Sequence, residues 1–317
     1  MTQEVVCMDI SITVGSFVAR LGLEEGCKLA KESGYEAIDW SLAVWNSGTL
    51  KKTGGKAPEN IFDKDMDEIW AYFQPALEMY KKYGLRIGQA HAPFNAWDSQ
   101  NPDLLDYAIE VYKKNILLCQ KAGCKYVVLH GIKPYRLDVD DDLPGYEEGE
   151  ALNRKLFESL IPTLLETDVV VCMENLFSGA HNDFIGSHCS DPHDAVEFID
   201  SLNEKAGKEC FGLCFDTGHL FISRVDPEKY IRTLGKRIKV LHMDDNWGVE
   251  DSHRIPFSGL VPWMRICETL KEIGYDGNIN FETGASFNKA FLPEELLPEF
   301  ARHNAEIGKY FRKVIQG

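Results

Sequence analysis

Four acidic or imidazole side chains stand where short apolar runs of the sequence end. Glu174 follows Val-Val-Val-Cys-Met, Asp216 follows Phe-Gly-Leu-Cys-Phe, His242 follows Ile-Lys-Val-Leu, and Glu282 follows Ile-Asn-Phe. Three carboxylates in one partly dehydrated cavity would raise one another's pKa values unless a counter-charge is present. One imidazole and three carboxylates suit Mn²⁺, Mg²⁺ or Co²⁺ better than a structural Zn²⁺. The sequence therefore predicts a divalent metal site.

The alternation of side chains along a strand tests whether these four residues share one face. If Asp216 points inward, Cys214 and Gly212 do so as well, whereas Phe211, Leu213 and Phe215 point outward. The same alternation places Val171, Met173, Lys239, Leu241, Met243, Ile279 and Phe281 outward, and Asn278 and Asn280 inward. The candidate ligands thus fall on the inner face, and their bulky apolar neighbours fall on the outer face.

The chain alternates short apolar runs with longer segments of helical spacing. Eight runs read as strands: Val5–Ile12, Ala37–Leu42, Arg86–Ala92, Tyr126–Gly131, Val169–Leu176, Phe211–Thr217, Ile238–Asp244 and Gly277–Thr283. Eight βα units predict an α/β protein, a parallel eight-stranded (β/α)8 TIM barrel. An open doubly wound sheet is the alternative, but no glycine-rich dinucleotide fingerprint follows the first run.

Helix boundary signals agree with this alternation. The segment Asp103–Ala122 carries apolar residues at steps of three and four, and Gly123 supplies a stop. The pairs Asp191-Pro192 and Asp226-Pro227 each predict a helix start. An aspartate there accepts hydrogen bonds from free amides, and proline is tolerated in the first turn.

Long polar loops follow several of the predicted strands, and the connections from helix to strand are short. The long loops are Trp45–Lys64, Lys133–Gly149, Ser178–Asp191 and Asn246–Leu260. In a barrel they lie on the carboxyl-terminal face, where sites are normally built. Because no linker or composition shift interrupts the pattern, we predict one domain over residues 1–317.

Charge and composition narrow the class of protein. The 317 residues include 34 Lys and Arg against 50 Asp and Glu, a formal charge of −16. This field repels polyanions and disfavours nucleic-acid or anionic-membrane partners. No run approaches the ~20 apolar residues of a membrane span, and the first residues do not read as a signal peptide. The nine scattered cysteines fit reduced, structural thiols. We predict a cytoplasmic protein.

The residues around the strand ends match a known pattern. Glu174-Asn175, Asp216-Thr-Gly-His219, His242-Met-Asp-Asp-Asn246, Asp251-Ser-His253, Val261-Pro-Trp263 and Phe281-Glu282-Thr283 occur in this order. Together they resemble the xylose isomerase-like TIM-barrel superfamily and its sugar phosphate isomerase/epimerase family, over nearly the whole chain. The superfamily also contains ketose 3-epimerases, inosose dehydratases and the endonuclease IV group.

The resemblance implies that Glu174, Asp216, His242 and Glu282 bind one divalent ion. Mn²⁺ is expected first, with Mg²⁺, Co²⁺ and Zn²⁺ as alternatives. It also implies that Glu174 and Glu282 are catalytic. One removes the proton beside a sugar carbonyl, the other returns a proton to the opposite face, and the metal stabilises the enediolate. The implied activity is that of a sugar, sugar phosphate or sugar acid isomerase or epimerase.

Five further polar residues are implied as substrate contacts or additional metal ligands: His91, His130, His219, Asp251 and His253. They complete the set with which endonuclease IV-like enzymes hold three zinc ions. Arg254, in the same loop as His253, is a sixth candidate for this group. The acidic charge and the absence of dense lysine or arginine runs in the long loops favour sugar chemistry. The signature after His242 also reads Asp-Asp-Asn, where Asn-Asp-Ser is expected of the nucleases. An endonuclease IV-like zinc phosphodiesterase and an inosose dehydratase-like lyase remain alternatives.

The sequence leaves the substrate open. Well-known ketose 3-epimerases carry a further glutamate and an arginine where this chain has Ala180 and Gly248, which disfavours a free ketohexose. Arg254 is the candidate to replace that arginine. The expected partner is a small-molecule sugar, with no nucleic acid and no membrane, and a homo-oligomer stays open. A sugar-binding barrel without catalysis is a third possibility.

Aromatic residues near the strand ends allow two interpretations. Trp45, Phe94, Trp97, Phe177 and Trp247 could pack on the apolar face of a sugar and exclude water. They could equally anchor the loops to the core.

Overall fold

The computed structural model describes residues 8–99, 101–133, 145–180 and 183–317. Its strands are β1 Ile10–Thr13, β2 Ala37–Ser41, β3 Arg86–His91, β4 Tyr126–Leu129, β5 Val170–Glu174, β6 Phe177–Ala180, β7 Asp183–Gly186, β8 Phe211–Asp216, β9 Ile238–His242 and β10 Ile279–Phe281. Its helices are α1 Gly15–Leu21, α2 Leu23–Ser33, α3 Ser47–Lys52, α4 Met66–Lys82, α5 Leu104–Ala122, α6 Tyr146–Glu158, α7 Ile161–Leu165, α8 Pro192–Ala206, α9 Thr217–Ile222, α10 Pro227–Leu234, α11 Trp263–Glu272 and α12 Leu297–Gln316. Short 3₁₀ turns lie at Ile61–Asp63, Gly235–Arg237, Gly284–Phe287 and Glu294–Leu296.

Eight parallel strands form one sheet in the order β10-β1-β2-β3-β4-β5-β8-β9. The sheet closes where Met243, just past β9, bridges Phe281 of β10. Met243 N–H donates to Asn280 O at 2.9 Å, and Glu282 N–H donates to Met243 O at 3.3 Å. The predicted (β/α)8 TIM barrel is confirmed, and its helices lie outside the strands.

The barrel interior and exterior carry different cores. A small inner cluster joins Val128, Val170, Cys172, Cys214 and Val240. The outer core contains Val171, Met173, Phe211, Leu213, Phe215, Leu241, Met243, Ile279 and Phe281, packed with residues of the surrounding helices. These placements confirm the predicted alternation for these residues, so the inner face of the strands is the face that carries polar groups at their ends.

Lys239 is the exception to the predicted alternation. The register between β8 and β9 shifts so that Leu213 pairs with Ile238 and Cys214 pairs with Val240. Lys239 is the extra residue, and Ile238 takes its expected place in the outer core. The prediction that Lys239 faces outward is wrong, because its side chain packs against inward-facing Gly212. Its Nζ lies 2.8 Å from Glu209 at the amino-terminal end of the barrel.

The predicted helix signals are confirmed. Gly123 ends α5 in the left-handed conformation. The Asp191 carboxylate accepts hydrogen bonds from the amides of His193 and Asp194 at the start of α8. Asp226 caps α10 in the same way.

Two sequence predictions differ from the structure. The first strand, predicted at Val5–Ile12, spans Ile10–Thr13, and residues 5–7 of the prediction lie outside the described part of the chain. The loop predicted at Ser178–Asp191 contains most of an antiparallel hairpin, in which β6 pairs with β7. The loop predicted at Lys133–Gly149 falls mostly on residues 134–144, which are also outside the described residues.

The eight described cysteines are all buried and free. Within the described ranges, no helix has both the length and the apolar character that crossing a membrane requires.

Candidate metal centre

The carboxyl ends of the barrel strands bring the four predicted ligands together. Glu174, Asp216 and His242 are the last residues of β5, β8 and β9, and Glu282 directly follows β10. One ligand atom from each of the four lies within 4.8 Å of those from the other three. Because neighbouring parallel strands end at the same edge, residues more than 100 positions apart in sequence form one cluster.

His242 and Asp216 offer the best evidence that this cluster fits a cation. Nδ1 of His242 lies 3.1 Å from Glu282 Oε2 and 3.3 Å from Glu174 Oε2. Asp216 Oδ2 and His242 Nδ1 are buried, and neither has a well-aligned hydrogen-bond partner among the described residues. Buried polar atoms without partners are costly, and coordination to a metal ion would satisfy both.

The two oxygens of Asp216 have separate environments. Oδ1 accepts a hydrogen bond from the backbone amide of His219 at 2.6 Å, which caps α9. Oδ2 points to the cluster and lies 3.9 Å from His242 Nδ1. Asp216 is therefore both a helix cap and a candidate ligand.

Backbone carbonyls fix the orientation of three other histidines. His91 Nδ1 lies 2.8 Å from the carbonyl oxygen of Ala92. His219 Nδ1 lies 3.0 Å from that of Asn175, and His253 Nδ1 lies 3.0 Å from that of Glu282. A carbonyl can only accept, so Nδ1 carries the hydrogen in each ring and Nε2 is left to bind a ligand. His91 Nε2 faces Glu174 Oε2 at 3.4 Å. The Nε2 atoms of His219 and His253 face Asp251 at 3.4 and 3.1 Å.

Most of the other predicted site residues belong to two further groups of close ligand atoms, one of which shares Glu174 and His242 with the cluster. His91, Glu174 and His242 form one group with close ligand atoms, and His219, Asp251 and His253 form another. His130 also contacts Glu174, with 3.0 Å between Nε2 and Oε2. Arg254 is placed differently, because its exposed side chain lies 3.8 Å from Glu250. The structure therefore gives no support to Arg254 as a substitute for the epimerase arginine.

A cavity of about 450 Å³ opens beside the cluster. His130, His219 and Asp251 line one part of it, and Phe94, Phe177 and Phe184 line another. Phe177 belongs to the β6–β7 hairpin, and its ring lies 5.4 Å from that of Phe184. The hairpin thus forms a wall of the cavity.

The other aromatic residues singled out in the sequence have different positions. Trp45 is buried and packs against Tyr107 at 5.8 Å, as a loop anchor would. Trp97 is partly buried against the outer core. Trp247 is half exposed. Only Phe94 and Phe177 of the five line this cavity.

Histidines hold the two glutamates in their ionised form. Burial alone would raise the pKa of Glu174, but His130 and His242 lower it well below its usual value. For Glu282, burial is again outweighed, and His242 and His253 lower the pKa to about 2. Both glutamates are therefore ionised at neutral pH.

The pKa values of two aspartates and of His242 are raised. Burial raises the pKa of Asp216 to about 6, although His219 opposes this shift. Burial, reinforced by Asp216, raises the pKa of Asp244 well above its usual value. Burial alone would lower the pKa of His242, but neighbouring acidic groups, among them Glu282 and Glu174, raise it. As the pH falls, Asp216 therefore takes up a proton before either glutamate does.

A family model of the xylose isomerase-like TIM barrel matches residues 27–302. The chain belongs to the xylose isomerase-like TIM barrel family. It is 28% identical over 248 residues to a probable endonuclease 4 of Geobacillus sp. (strain WCH70), covering 74% of this chain and 73% of that protein. It is 25% identical over 204 residues to the D-psicose 3-epimerase of Enterocloster bolteae, covering 63% and 62%. Across three curated relatives, the chain covers 52%, 73% and 62% of their own lengths.

A solved structure of a D-tagatose 3-epimerase-like protein aligns over 98% of both chains, with a TM-score of 0.67 and 20% identity. At that identity the likeness shows the fold. Within the xylose isomerase-like family, this chain is therefore similar to proteins with epimerase names and to proteins with endonuclease names, and its own site residues have to distinguish the two.

Three residues that support the site were not assigned a role from the sequence. Asn175 joins β5 to β8, since its side chain donates to Asp216 O at 2.9 Å and accepts from Asp216 N at 2.8 Å. Asp39 lies 3.2 Å from His242 Nε2. Asp244 is fully buried, and neither of its carboxylate oxygens has a hydrogen-bond partner among the described residues.

Metal affinity is expected to fall as the pH is lowered through about 6. The pKa of Asp216 is raised to about 6, so this group is protonated below that pH and ionised above it. A metal ion needs the ionised form, and displacing this proton weakens apparent binding about tenfold per pH unit below the pKa. The proton that His242 must release, because its pKa is raised, adds to this dependence. Titration with Mn²⁺ at pH 5, 6 and 7 measures this dependence. An affinity that stays constant over this range would exclude Asp216 as a titrating ligand.

Proposed function

We propose that the protein is a divalent-metal-dependent isomerase or epimerase of a sugar, sugar phosphate or sugar acid. The observation that carries this proposal is the buried cluster of Glu174, Asp216, His242 and Glu282, with ligand atoms within 4.8 Å of one another. An ion held there would polarise a substrate carbonyl and stabilise the negative charge that develops on it. Mn²⁺ is the ion that we propose first, because oxygen ligands predominate in this set.

Glu174 and Glu282 are the proposed proton carriers. Both are ionised at neutral pH, as a proton acceptor must be, and both approach the same nitrogen of His242. Because Glu174 ends β5 and Glu282 follows β10, the two carboxylates can contact a bound substrate from different sides. In an epimerisation, one ionised glutamate removes the proton beside the carbonyl, and the other takes a proton from solvent and delivers it to the opposite face. The first glutamate then releases its proton to solvent, which restores the starting state.

The adjoining cavity supports a small sugar as substrate. Imidazole and carboxylate groups of His130, His219 and Asp251 can form hydrogen bonds with hydroxyl groups, and Phe94 and Phe177 can pack against C–H groups. A sugar presents both kinds of surface. A cytoplasmic location and the absence of nucleic acid remain predictions from the sequence.

A zinc phosphodiesterase of the endonuclease 4 type is the second candidate. The observation in its favour is the separate group of His219, Asp251 and His253, which could hold another ion. The −16 charge opposes this candidate, because the field repels a DNA backbone.

Metal analysis combined with a substrate panel tests the two candidates. We expect one exchangeable ion per chain, and turnover of one member of a panel of ketoses, aldoses, inososes and their phosphates. Elemental analysis of the purified protein measures the first, and solvent-deuterium incorporation into the recovered sugar measures the second. Three tightly held zinc ions together with cleavage of duplex DNA containing an abasic site would overturn the sugar assignment.

A further inference from the structure

His242 is held differently from the other anchored histidines of the site. In His91, His219 and His253 a backbone carbonyl fixes Nδ1, so Nε2 faces the neighbouring ligands. In His242 the ring is reversed, since Nδ1 faces Glu174 and Glu282. Its remote nitrogen, Nε2, lies at an ion-pair distance of 3.2 Å from Asp39 Oδ2. The two groups are not aligned as a hydrogen bond, and Nε2 has no other partner among the described residues.

Asp39 is itself held firmly in the barrel interior. It lies in the middle of β2 and is buried. Its Oδ2 accepts hydrogen bonds from Gln89 Nε2 and from Asn280 Nδ2, both at 3.0 Å. Gln89 belongs to β3 and Asn280 to β10, so strands on both sides of β2 fix the carboxylate. Oδ1 has no hydrogen-bond partner among the described residues, so this acid is not fully satisfied by the two amides.

We infer that Asp39 is a positioning residue, which holds His242 as the Nε2–H tautomer and directs Nδ1 to the metal ion. The inference rests on the proposed metal site. A carboxylate can only accept when ionised, so the hydrogen between the two groups belongs to Nε2. Nδ1 then keeps the lone pair that a metal needs. A charged acceptor also makes the imidazole a more basic ligand than a carbonyl would.

The burial of the pair supports this role. An ionised carboxylate away from water needs a compensating partner, and two neutral amides provide only part of that compensation. The ring of His242 provides the rest, and it is fully buried as well. Carboxylate, imidazole and metal ion would form one line from β2 through β9 to the cluster.

Asp39→Asn tests the inference, because it keeps the shape of the side chain and removes its charge. We expect the affinity for Co²⁺ to fall about 10- to 100-fold, as is usual for residues that orient a metal-binding histidine. The visible absorption spectrum of the bound Co²⁺ should change as well. Titration calorimetry measures the first quantity and absorption spectroscopy the second, with the full chain in the same buffer.

A control variant separates positioning from a general effect of the substitution. Asp9→Asn makes the same change at another buried aspartate, which lies just before β1 at the far end of the barrel and pairs with Arg86. We expect this control to bind Co²⁺ within about threefold of the wild type, a small free-energy change at 25 °C. Thermal melting of each metal-free variant by circular dichroism records the stability separately.

The outcomes distinguish this inference from the proposed function. If the wild type binds no Co²⁺, the proposed metal site fails. If the wild type binds Co²⁺ and Asp39→Asn binds it equally well with the same spectrum, the positioning role alone is overturned. The role is also overturned if Asp9→Asn weakens binding as much as Asp39→Asn, since the loss would then not depend on contact with His242. If His242→Ala binds Co²⁺ as tightly as the wild type, His242 is not a ligand, and the positioning role of Asp39 is overturned.

Discussion

Replacing Glu174 by Gln is expected to abolish the incorporation of solvent deuterium into the substrate. The amide cannot accept the proton that the carboxylate takes, and general base catalysis contributes about 10²- to 10⁴-fold to such a rate. Glu282→Gln should have the same effect, because an epimerase needs one group to remove a proton and another to return it. NMR of the sugar recovered from D₂O measures the exchange directly.

The matched control for these two variants is Glu209→Gln. Glu209 lies at the amino-terminal end of the barrel, where it pairs with Lys239 at 2.8 Å, far from the strand ends that carry the cluster. The Glu209→Gln variant should exchange the substrate proton with solvent deuterium as fully as the wild type. Metal content must be measured in all three variants, since Glu174 and Glu282 are also candidate ligands. Full exchange in either glutamate variant would eliminate that residue as an essential proton carrier.

Asp216→Asn is expected to lose the metal ion and keep the fold. Asparagine caps a helix about as well as aspartate, so the bond from His219 N–H that begins α9 can persist. The second oxygen, which points to the cluster, is replaced by an amide nitrogen that cannot bind a cation. The metal affinity should therefore fall by more than the roughly 100-fold upper range seen for residues that only orient a ligand.

Asp191→Asn provides the same substitution at a helix cap outside the cluster. Asp191 accepts hydrogen bonds from the amides of His193 and Asp194 and begins α8. The melting temperature and the metal affinity of the Asp191→Asn variant should both match those of the wild type. Equilibrium dialysis against Mn²⁺ measures the affinity, and circular dichroism measures the melting. If the Asp216→Asn variant binds Mn²⁺ as tightly as the wild type, Asp216 is not a metal ligand.

The barrel strands and the clustering of residues at their ends could be predicted because both depend on local patterns. A run such as Phe211–Asp216 is apolar until its last residue, and its alternation already separates Phe215 from Asp216. The strand ends of a parallel barrel meet at one face, so strand assignment alone brings Glu174 close to His242. The chemistry of the ligands then follows from their residue types.

The hairpin and the position of Lys239 could not be predicted in this way. Strands β6 and β7 have only four residues each, and they include Gly179 and Gly186, which have low strand propensity. Lys239 lies at a register shift, which depends on how β8 and β9 pair and leaves no mark in the sequence of β9 alone.

Asp39 illustrates a different limit. The sequence Ala-Ile-Asp-Trp-Ser shows an acid within a buried strand, and this polar interruption is a usable signal. Its partner His242 is 203 residues later and belongs to a strand that is not adjacent to β2 in the sheet. Contacts across the barrel interior depend on the tilt and stagger of all eight strands.

The two kinds of histidine anchor differ in whether a substitution can remove the acceptor group. The carbonyls of Ala92, Asn175 and Glu282 belong to the backbone, so a substitution at those positions leaves an acceptor in place for His91, His219 and His253. The acceptor for His242 is a side chain, which a single codon change can remove or neutralise. Among the four anchored rings, His242 is therefore the one whose donor strength natural variation or protein engineering can adjust without moving the chain.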